Sequence, residues 1–239
     1  MFRILIVEDV KRTLDQLTKY ISAALKEPNG ESSVVLHTAE GVEDARRVIQ
    51  AAADNNQPYH AVILDFKLPE QAGGNPELAR IDQSLCLLIR QTMRSTLVAH
   101  ITAYIKDEVV REHLRLVHDE KVTPALTFLK ADPEYAIKLV DELRSFLYGT
   151  RIEEQIALIF GEPRPLAFAA RVRGREPERS RQRVRSERSL THDIAALRRD
   201  IAAYWHHLDQ KRREWVRQFF RVDDETQPVR VSLRQPAAE

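Results

Sequence analysis

The sequence predicts a doubly wound α/β fold, built on a five-stranded parallel sheet, for its first 148 residues. Strand-like and helical patterns alternate there, and four of the five strand-like runs are almost wholly apolar. Parallel strands that are covered by helices on both faces have this composition. Five β/α units in series are typical of an open parallel sheet between two layers of helices.

The predicted elements follow the change between short apolar runs and longer amphipathic segments. Strands are expected at Arg3–Val7, Ser33–His37, Ala61–Leu64, Leu97–Ile101 and Ala125–Leu129. Helices are expected at about 11–26, 41–53, 76–94, 106–118 and 133–148. Asp132 and Pro133 begin the last helix, because Asp is favoured at the N-cap and Pro at the first helical position.

Polar side chains follow the apolar runs, at the sheet edge where ligands bind in such folds. Glu8 and Asp9 follow the first run, Asp65 the third, Thr102 the fourth and Lys130 the fifth. The carboxylates predict an acidic pocket that holds a hard divalent cation through oxygen ligands. Such a pocket could also expose one carboxylate as a nucleophile toward phosphorus. Taken singly, each residue fits equally well as a helix N-cap, a turn residue or a solvated side chain.

With Leu68-Pro69 after Asp65 and Ala103 after Thr102, these residues make the chain resemble the response-regulator receiver family over residues 1–148. The resemblance implies a flavodoxin-like receiver domain of two-component signalling. Asp65 is then the phosphoacceptor, and the implied partner is a histidine kinase or a phosphotransfer protein. No enzyme activity is implied beyond phosphotransfer and autodephosphorylation.

The resemblance also implies Mg²⁺ as cofactor, held by Asp9, Asp65 and the backbone carbonyl of Lys67, with Glu8 orienting a bound water. Lys130 would pair with the phosphoryl oxygens as a point charge. Thr102 would donate its hydroxyl to another phosphoryl oxygen after transfer.

Three features depart from the family pattern. Ala131 follows the lysine where the family has Pro with a cis bond, which costs about 3 kcal/mol before a non-proline residue. The family has an aromatic switch residue three positions before the lysine, but this chain has Thr127 there. The aromatic residues nearest to the switch positions are Phe128, next to Thr127, and Tyr104, two residues after Thr102. The segment 70–82 is longer than the family's loop, and its two glycines indicate flexibility.

The bulk composition restricts the cellular setting. Net charge is +1, but residues 1–150 carry −4 and residues 151–239 carry +5, so the second part is predicted to be an interaction segment. One cysteine excludes a disulfide framework. No apolar run reaches 18 residues, and the start leaves no room for a signal peptide, so a cytoplasmic protein without membrane association is expected.

Two segments are predicted between the first domain and a long C-terminal helix. Gly149 is expected to end the fifth helix, and Thr150 with Glu153 forms a capping-box pattern that begins a short connecting helix within 149–165. Residues 166–189 read as an Arg-rich linker, since apolar residues are almost absent from 171–188.

A long helix is predicted over 190–222, followed by a loose tail at 223–239. Eight positions repeat at alternating spacings of four and three, and seven of them are apolar or aromatic, which is typical of a coiled-coil seam. The seam comprises Leu190, Ile194, Leu197, Ile201, Tyr204, Leu208, Lys211 and Trp215. Such a seam favours a homodimer or a helical protein partner, the alternative being packing against the first domain.

Two other outputs stay open. The arginine run could contact nucleic acid through phosphates, although it is interleaved with Glu and carries no aromatic residues for base stacking. His192, followed by Asp193 and Ile194, faintly matches the helix of a histidine phosphotransfer protein and could act as a phosphorelay intermediate. Adjacent His206 and His207 point in different directions on a helix, so no metal is expected there.

Overall fold

The computed structural model describes residues 1–27, 30–74, 80–81, 83–93, 95–103, 125–160 and 187–234. The chain divides into two compact units, residues 1–143 and 144–239. The predicted helix at 106–118 lies outside the described residues, as does most of the predicted Arg-rich linker at 166–189. Among the helices that the structure describes, none is long and apolar enough to cross a membrane.

The N-terminal unit contains the predicted five-stranded parallel sheet, with the order β2-β1-β3-β6-β7. Its strands are β1 (Phe2–Val7), β2 (Val34–Ala39), β3 (Ala61–Asp65), β6 (Leu97–Thr102) and β7 (Ala125–Leu129). A small antiparallel pair, β4 (Lys67–Leu68) with β5 (Arg80–Ile81), lies between β3 and β6 in the sequence. The strand order reverses direction between β1 and β3, which places the ligand-binding crevice at the carboxyl ends of these two strands.

The strands are apolar because helices cover both faces of the sheet. Residues 4–7 of β1 are all fully buried. On the helices α1 (Lys11–Ala24), α2 (Val42–Asp54) and α3 (Gln83–Thr92), apolar residues at helical spacing bury one face, as Leu14, Leu17 and Ile21 do on α1. Each such Leu or Ile contributes about 1.5–3 kcal/mol by burial. This packing fixes the strand ends that carry the polar residues.

The helix α4 (Tyr135–Phe160) runs through Gly149 without a break, so the prediction that Gly149 ends a helix and that Thr150 caps a new one is wrong. A Cβ atom at Gly149 would lie 2.5–2.7 Å from Nε, Cδ and Cζ of Arg212. Glycine is therefore needed here because the Arg212 side chain packs directly against the helix backbone, and not because the helix ends. Glu153 accepts a hydrogen bond from Arg212 Nε at 2.9 Å instead of capping.

The prediction of a single helix over 190–222 is also wrong. A helix is present at α5 (Glu187–Tyr204), but one 3-10 turn (Trp205–His207) follows it, and α6 (Gln210–Phe219) begins after Asp209. Asp209 is extended and accepts a hydrogen bond from the Arg212 backbone N–H at 2.9 Å, which makes it the N-cap of α6. The chain then forms an antiparallel hairpin of β8 (Phe220–Asp223) and β9 (Arg230–Leu233), so the tail predicted to be loose at 223–239 contains a strand.

The C-terminal unit buries most of the predicted seam in its own core. Leu197, Ile201, Tyr204, Leu208 and Trp215 are at most 5 % exposed. The Tyr204 ring stacks on Tyr148 of α4 at a centroid distance of 3.7 Å. Because these side chains are covered within the unit, their spacing no longer argues for a homodimer or a partner helix.

Arg212 lies inside this core with 5 % exposure. Besides Glu153, it donates from Nη1 to the Ser145 carbonyl and to Asp209 Oδ2, both at 3.1 Å. A buried guanidinium needs this number of acceptors, because an unpaired charge in a low-dielectric interior is costly. Arg212 thereby ties α4 to the start of α6.

Candidate functional site

Three carboxylates converge at the carboxyl ends of β1 and β3. Val7 pairs with Leu64 in the register, so Glu8 and Asp65 each lie one residue further along adjacent strands. One carboxylate oxygen from each of Glu8, Asp9 and Asp65 lies within 4.8 Å of the others. The sheet topology thus brings together the three acidic residues that the sequence places at one edge.

Lys130 reaches into this cluster from the end of β7. Its Nζ atom lies 2.6 Å from Asp65 Oδ2 and 2.8 Å from Glu8 Oε2. The Lys130 backbone N–H donates to the Thr102 carbonyl at 2.8 Å, which joins the lysine to the end of β6. The Lys130–Ala131 bond is not cis, since the cis bond found in the described residues is Gln227–Pro228.

Backbone N–H groups hold two of the carboxylates in place. Phe66 N–H donates to Asp65 Oδ1 at 2.6 Å, and Val10 N–H donates to Glu8 Oε1 at 3.3 Å. The Asp65 side chain is 6 % exposed and Glu8 is fully buried. Both carboxylates are therefore positioned by short-range contacts that leave little rotational freedom.

The electrostatics of the cluster show an excess of buried negative charge. Burial, and then the neighbouring Asp65 carboxylate, raise the pKa of Glu8 to about 7. Burial also raises the pKa of Asp65, although Lys130 acts in the opposite direction. Burial alone would lower the pKa of Lys130, but Asp65 and Glu8 together outweigh it and raise that pKa. One ammonium group does not balance three carboxylates.

This donor set fits a hard divalent cation. All the ligand atoms offered are oxygens, and the cluster carries surplus negative charge that a cation would neutralise. Lys67, whose backbone carbonyl is the fourth predicted ligand, lies two residues after Asp65 in β4.

Of the predicted phosphoryl-contacting residues other than Lys130, Thr102 lies beside the carboxylate cluster and Tyr104 is not described. Thr102 ends β6, one residue beyond Ile101, which is the register partner of Asp65, and it is fully buried. Tyr104 lies outside the described residues. Tyr135 is an aromatic residue that the sequence analysis missed: burial raises its pKa, and the charges of Lys130, Glu8 and Asp65 act on it. Its only signal in the sequence is its place two residues after Pro133.

His192 belongs to the C-terminal unit, on α5. Its side chain is 79 % exposed, and its Nδ1 atom lies 3.9 Å from Asp193 Oδ1. Exposure is necessary for a phosphorylated imidazole but is common on helices, so the geometry adds nothing specific to the phosphorelay hypothesis.

The strand order and the polar sheet edge give the N-terminal unit a flavodoxin-like receiver fold, as the sequence predicts. Among solved structures, the chain is similar to one in the CheX–CheY complex with BeF3 and Mg²⁺ from Borrelia burgdorferi, with 19% identity and a TM-score of 0.39, over 60% of this chain and 87% of that one. It is similar to the response regulator TrrA from Thermotoga maritima in complex with Mg²⁺ and BeF, with 18% identity and a TM-score of 0.40, over 62% of this chain and 100% of that one.

A third similar structure is the phosphorylated cyanobacterial phytochrome response regulator RcpA, with 20% identity and a TM-score of 0.43, over 62% of this chain and 95% of that one. No family model matches the chain, and no curated protein is detectably similar to it in sequence. These likenesses concern the fold.

Proposed function

We propose that the N-terminal unit is the receiver of a two-component response regulator, in which Asp65 accepts a phosphoryl group from the phosphohistidine of a histidine kinase or phosphotransfer protein. The observation that carries this proposal is the meeting of three carboxylates and one lysine at the switch point of a parallel sheet. Such a cluster has no evident structural purpose, because burying surplus carboxylate charge costs stability.

In the proposed transfer, a carboxylate oxygen of Asp65 forms a bond to phosphorus while the phosphorus–nitrogen bond of the donor breaks. The electron pair leaves with the imidazole, which then takes up a proton, and the product is an acyl phosphate. The Phe66 N–H on Oδ1 and the Lys130 Nζ on Oδ2 hold the carboxylate plane in a fixed orientation before the transfer. Orienting the nucleophile in advance is a large part of catalysis in phosphoryl transfer.

Asp9, Asp65 and the Lys67 carbonyl would hold Mg²⁺, which would supply positive charge that offsets the repulsion between the carboxylate and the phosphoryl group. Glu8 would bind this cation through water. Asp9 is the least buried of the three carboxylates.

Lys130 changes partners in this proposal. Before transfer it neutralises Asp65 and Glu8, with Nζ 2.6 Å and 2.8 Å from their oxygens. After transfer its ammonium group contacts a phosphoryl oxygen, where a charge-assisted hydrogen bond is stronger than one between neutral groups. Thr102, at the end of the neighbouring strand, donates its hydroxyl to another phosphoryl oxygen.

Incubating the full chain with acetyl phosphate and Mg²⁺ tests the proposal. Intact-mass measurement should show the gain of one phosphoryl group, and the label should be lost at alkaline pH as an acyl phosphate is. Asp65→Asn should abolish the label, whereas Asp15→Asn, which changes an exposed carboxylate on α1, should keep it. Equal labelling of Asp65→Asn, or no labelling of the wild-type chain by acetyl phosphate or any histidine kinase, would refute it.

A further inference from the structure

A cleft in the N-terminal unit lies away from the carboxylate cluster, between the start of β1, the edge strand β2 and the end of α2. Its volume is about 520 Å³, which is within the range of sites that hold small molecules. Arg3 lies near the amino end of β1, and Tyr59 comes just before β3, whereas Glu8 follows the carboxyl end of β1. Along the extended chain Arg3 is roughly 16 Å from Glu8, at 3.3 Å per residue. The cleft is therefore a different site from the pocket around Asp65.

The walls of the cleft combine an apolar side with a set of polar groups. Helix α2 contributes Val48, Ala51 and Ala52, and two of these, Val48 and Ala52, also pack in the hydrophobic core on that face of the sheet. The polar side chains are Arg3, His37, Thr38, Asn55, Gln57 and Tyr59. Binding sites for small molecules have this composition, since the apolar lining holds the body of the ligand and a few polar groups fix its orientation.

Arg3 has hydrogen-bonding capacity that the walls of the cleft do not use. Its Nη1 atom donates to Gln57 Oε1, and its guanidinium carbon lies 5.2 Å from the centre of the Tyr59 ring. These contacts orient the guanidinium group but do not neutralise it. Its Nε atom is buried and has no acceptor among the residues that the structure describes. A carboxylate would supply two acceptor oxygens in the planar arrangement that a guanidinium group matches.

The electrostatics of the cleft favour an anion. Burial lowers the pKa of His37, and the charge of Arg3 adds to this effect. Burial raises the pKa of Tyr59, although Arg3 acts in the opposite direction. Both side chains are therefore neutral at pH 7, where the Tyr59 hydroxyl and His37 Nδ1 form a hydrogen bond of 2.5 Å. None of the described residues that line the cleft is acidic, so the charge of Arg3 is not balanced within it.

We propose that this cleft binds a small carboxylate with an apolar body, in which the carboxylate group pairs with Arg3 and the body lies against α2. One negative charge suits one guanidinium group, whereas phosphate groups are typically held by several donors or at a helix N-terminus. Here α2 contributes its C-terminal end, from Ala51 to its C-cap Asn55, and the negative end of a helix dipole disfavours a second negative charge. This ligand site is independent of phosphoryl acceptance at Asp65.

Titration of the ¹⁵N-labelled full chain with sodium benzoate, followed in two-dimensional amide spectra, tests the proposal. Benzoate should shift the amides of 3, 36–38 and 51–59 in a saturable way, with a Kd on the order of 1 mM for so small a ligand. Benzamide, which lacks the charge, and phenyl phosphate, which carries more of it, should each bind at least tenfold more weakly. Acetate at the same ionic strength has the charge without the apolar body, and its shifts should not saturate.

Two variants separate the charge of the cleft from its space. Arg3→Gln should weaken benzoate binding at least tenfold, because it removes the charged hydrogen-bond donor. Ala51→Leu should weaken binding to a similar extent without changing any charge, since Ala51 is an exposed residue of α2 and the larger side chain would occupy the cleft. Arg12→Gln is the matched control. It removes an exposed positive charge from α1 and should bind benzoate as the wild type does.

The proposal is overturned if benzamide or phenyl phosphate binds as tightly as benzoate, or if the shifted amides are those around Asp65. It is also overturned if Arg3→Gln, with the amide dispersion of the folded wild type, binds benzoate unchanged. If Arg3→Gln does not fold, Ala51→Leu decides the matter, and unchanged binding by that variant overturns the proposal. A loss in Arg12→Gln as large as in Arg3→Gln would show that only overall charge is sensed, and the specific site would be rejected.

Discussion

Gly149 in the middle of α4 lies against the Arg212 side chain so closely that a β-carbon would come within 2.5 Å of Nε. A helix interior normally favours alanine over glycine by up to about 1 kcal/mol. In this position the packing requirement exceeds the helix preference, and the glycine is needed because it has no side chain.

Gly149→Ala should lower the free energy of unfolding of the C-terminal unit by about 1–2 kcal/mol, since overpacking costs about 1–3 kcal/mol and alanine gains up to about 1. The chain's two tryptophans, Trp205 and Trp215, both lie in this unit, so their fluorescence during urea unfolding reports on it. Thr150→Ala is the matched control. It should be neutral or slightly stabilising within a continuous helix, and a loss of about 1 kcal/mol would instead indicate that Thr150 is a helix cap.

Mg²⁺ should bind the N-terminal unit with one site. Asp9→Asn should weaken that binding at least tenfold, because a carboxylate ligand is replaced by a neutral amide in a site that depends on charge. Isothermal titration calorimetry with MgCl₂ measures the effect. Asp15→Asn, an exposed change on α1, should bind as the wild type does, and an equal loss for both variants would contradict the assignment of the site.

Lys130→Gln should lower the free energy of unfolding of the N-terminal unit by about 3 kcal/mol in the presence of EDTA, because Glu8 and Asp65 lose their buried counter-charge. Added Mg²⁺ should recover part of this loss. Hydrogen exchange of the β1 amides reports on this unit. Lys138→Gln removes an exposed lysine that pairs with Asp132 and should leave the exchange rates unchanged. No difference between the two variants would contradict the counter-charge assignment.

His60 should make the N-terminal unit less stable in mild acid. Its Nδ1 atom accepts a hydrogen bond from the Arg3 N–H at 3.0 Å, and burial lowers its pKa from the usual 6.5. The unfolded chain therefore binds the proton more readily, so the stability present above pH 6.5 is lost as the pH falls through the folded-state pKa.

In His60→Asn the side-chain oxygen can accept the same hydrogen bond without titrating. The free energy of unfolding at pH 5 relative to pH 7, again from β1 amide exchange, should then be higher in the variant than in the wild type. Glu8, whose raised pKa stabilises the folded state as the pH falls, contributes equally to both chains. A steeper acid loss in the variant would contradict the assignment. His37 contributes in the same direction, because burial lowers its pKa as well, so some pH dependence should remain.

The acidic pocket could be predicted from the sequence because parallel strands end at a common edge. Each polar residue of the pocket follows an apolar run, as Glu8, Asp65, Thr102 and Lys130 do. The parallel topology therefore places all of them at the carboxyl edge of the sheet. What the sequence did not show is that Lys130 bridges two carboxylates, nor that Tyr135 lies near enough to be influenced by them.

The C-terminal unit could not be predicted in the same way. Leu197, Ile201 and Tyr204 have the spacing of a coiled coil whether the surface that covers them belongs to another chain or to α4. The break after Tyr204 did have a local signal, because Asp209 is a favourable N-cap, but an aspartate within a charged helix is not distinctive. The Gly149–Arg212 contact joins residues that are far apart in the sequence, and no local sequence pattern near either residue predicts it.

Lys130 acts as an internal counter-ion, and this has a practical consequence for handling the protein. Because the Lys130 ammonium group lies within 2.8 Å of Glu8 and Asp65, we expect the parallel sheet to stay folded without a bound metal ion. Chelators should strip cations from the purified chain without denaturing it, which allows reversible loading experiments on a single preparation. The same preparation can then be compared with and without a cation, and with and without a phosphoryl donor.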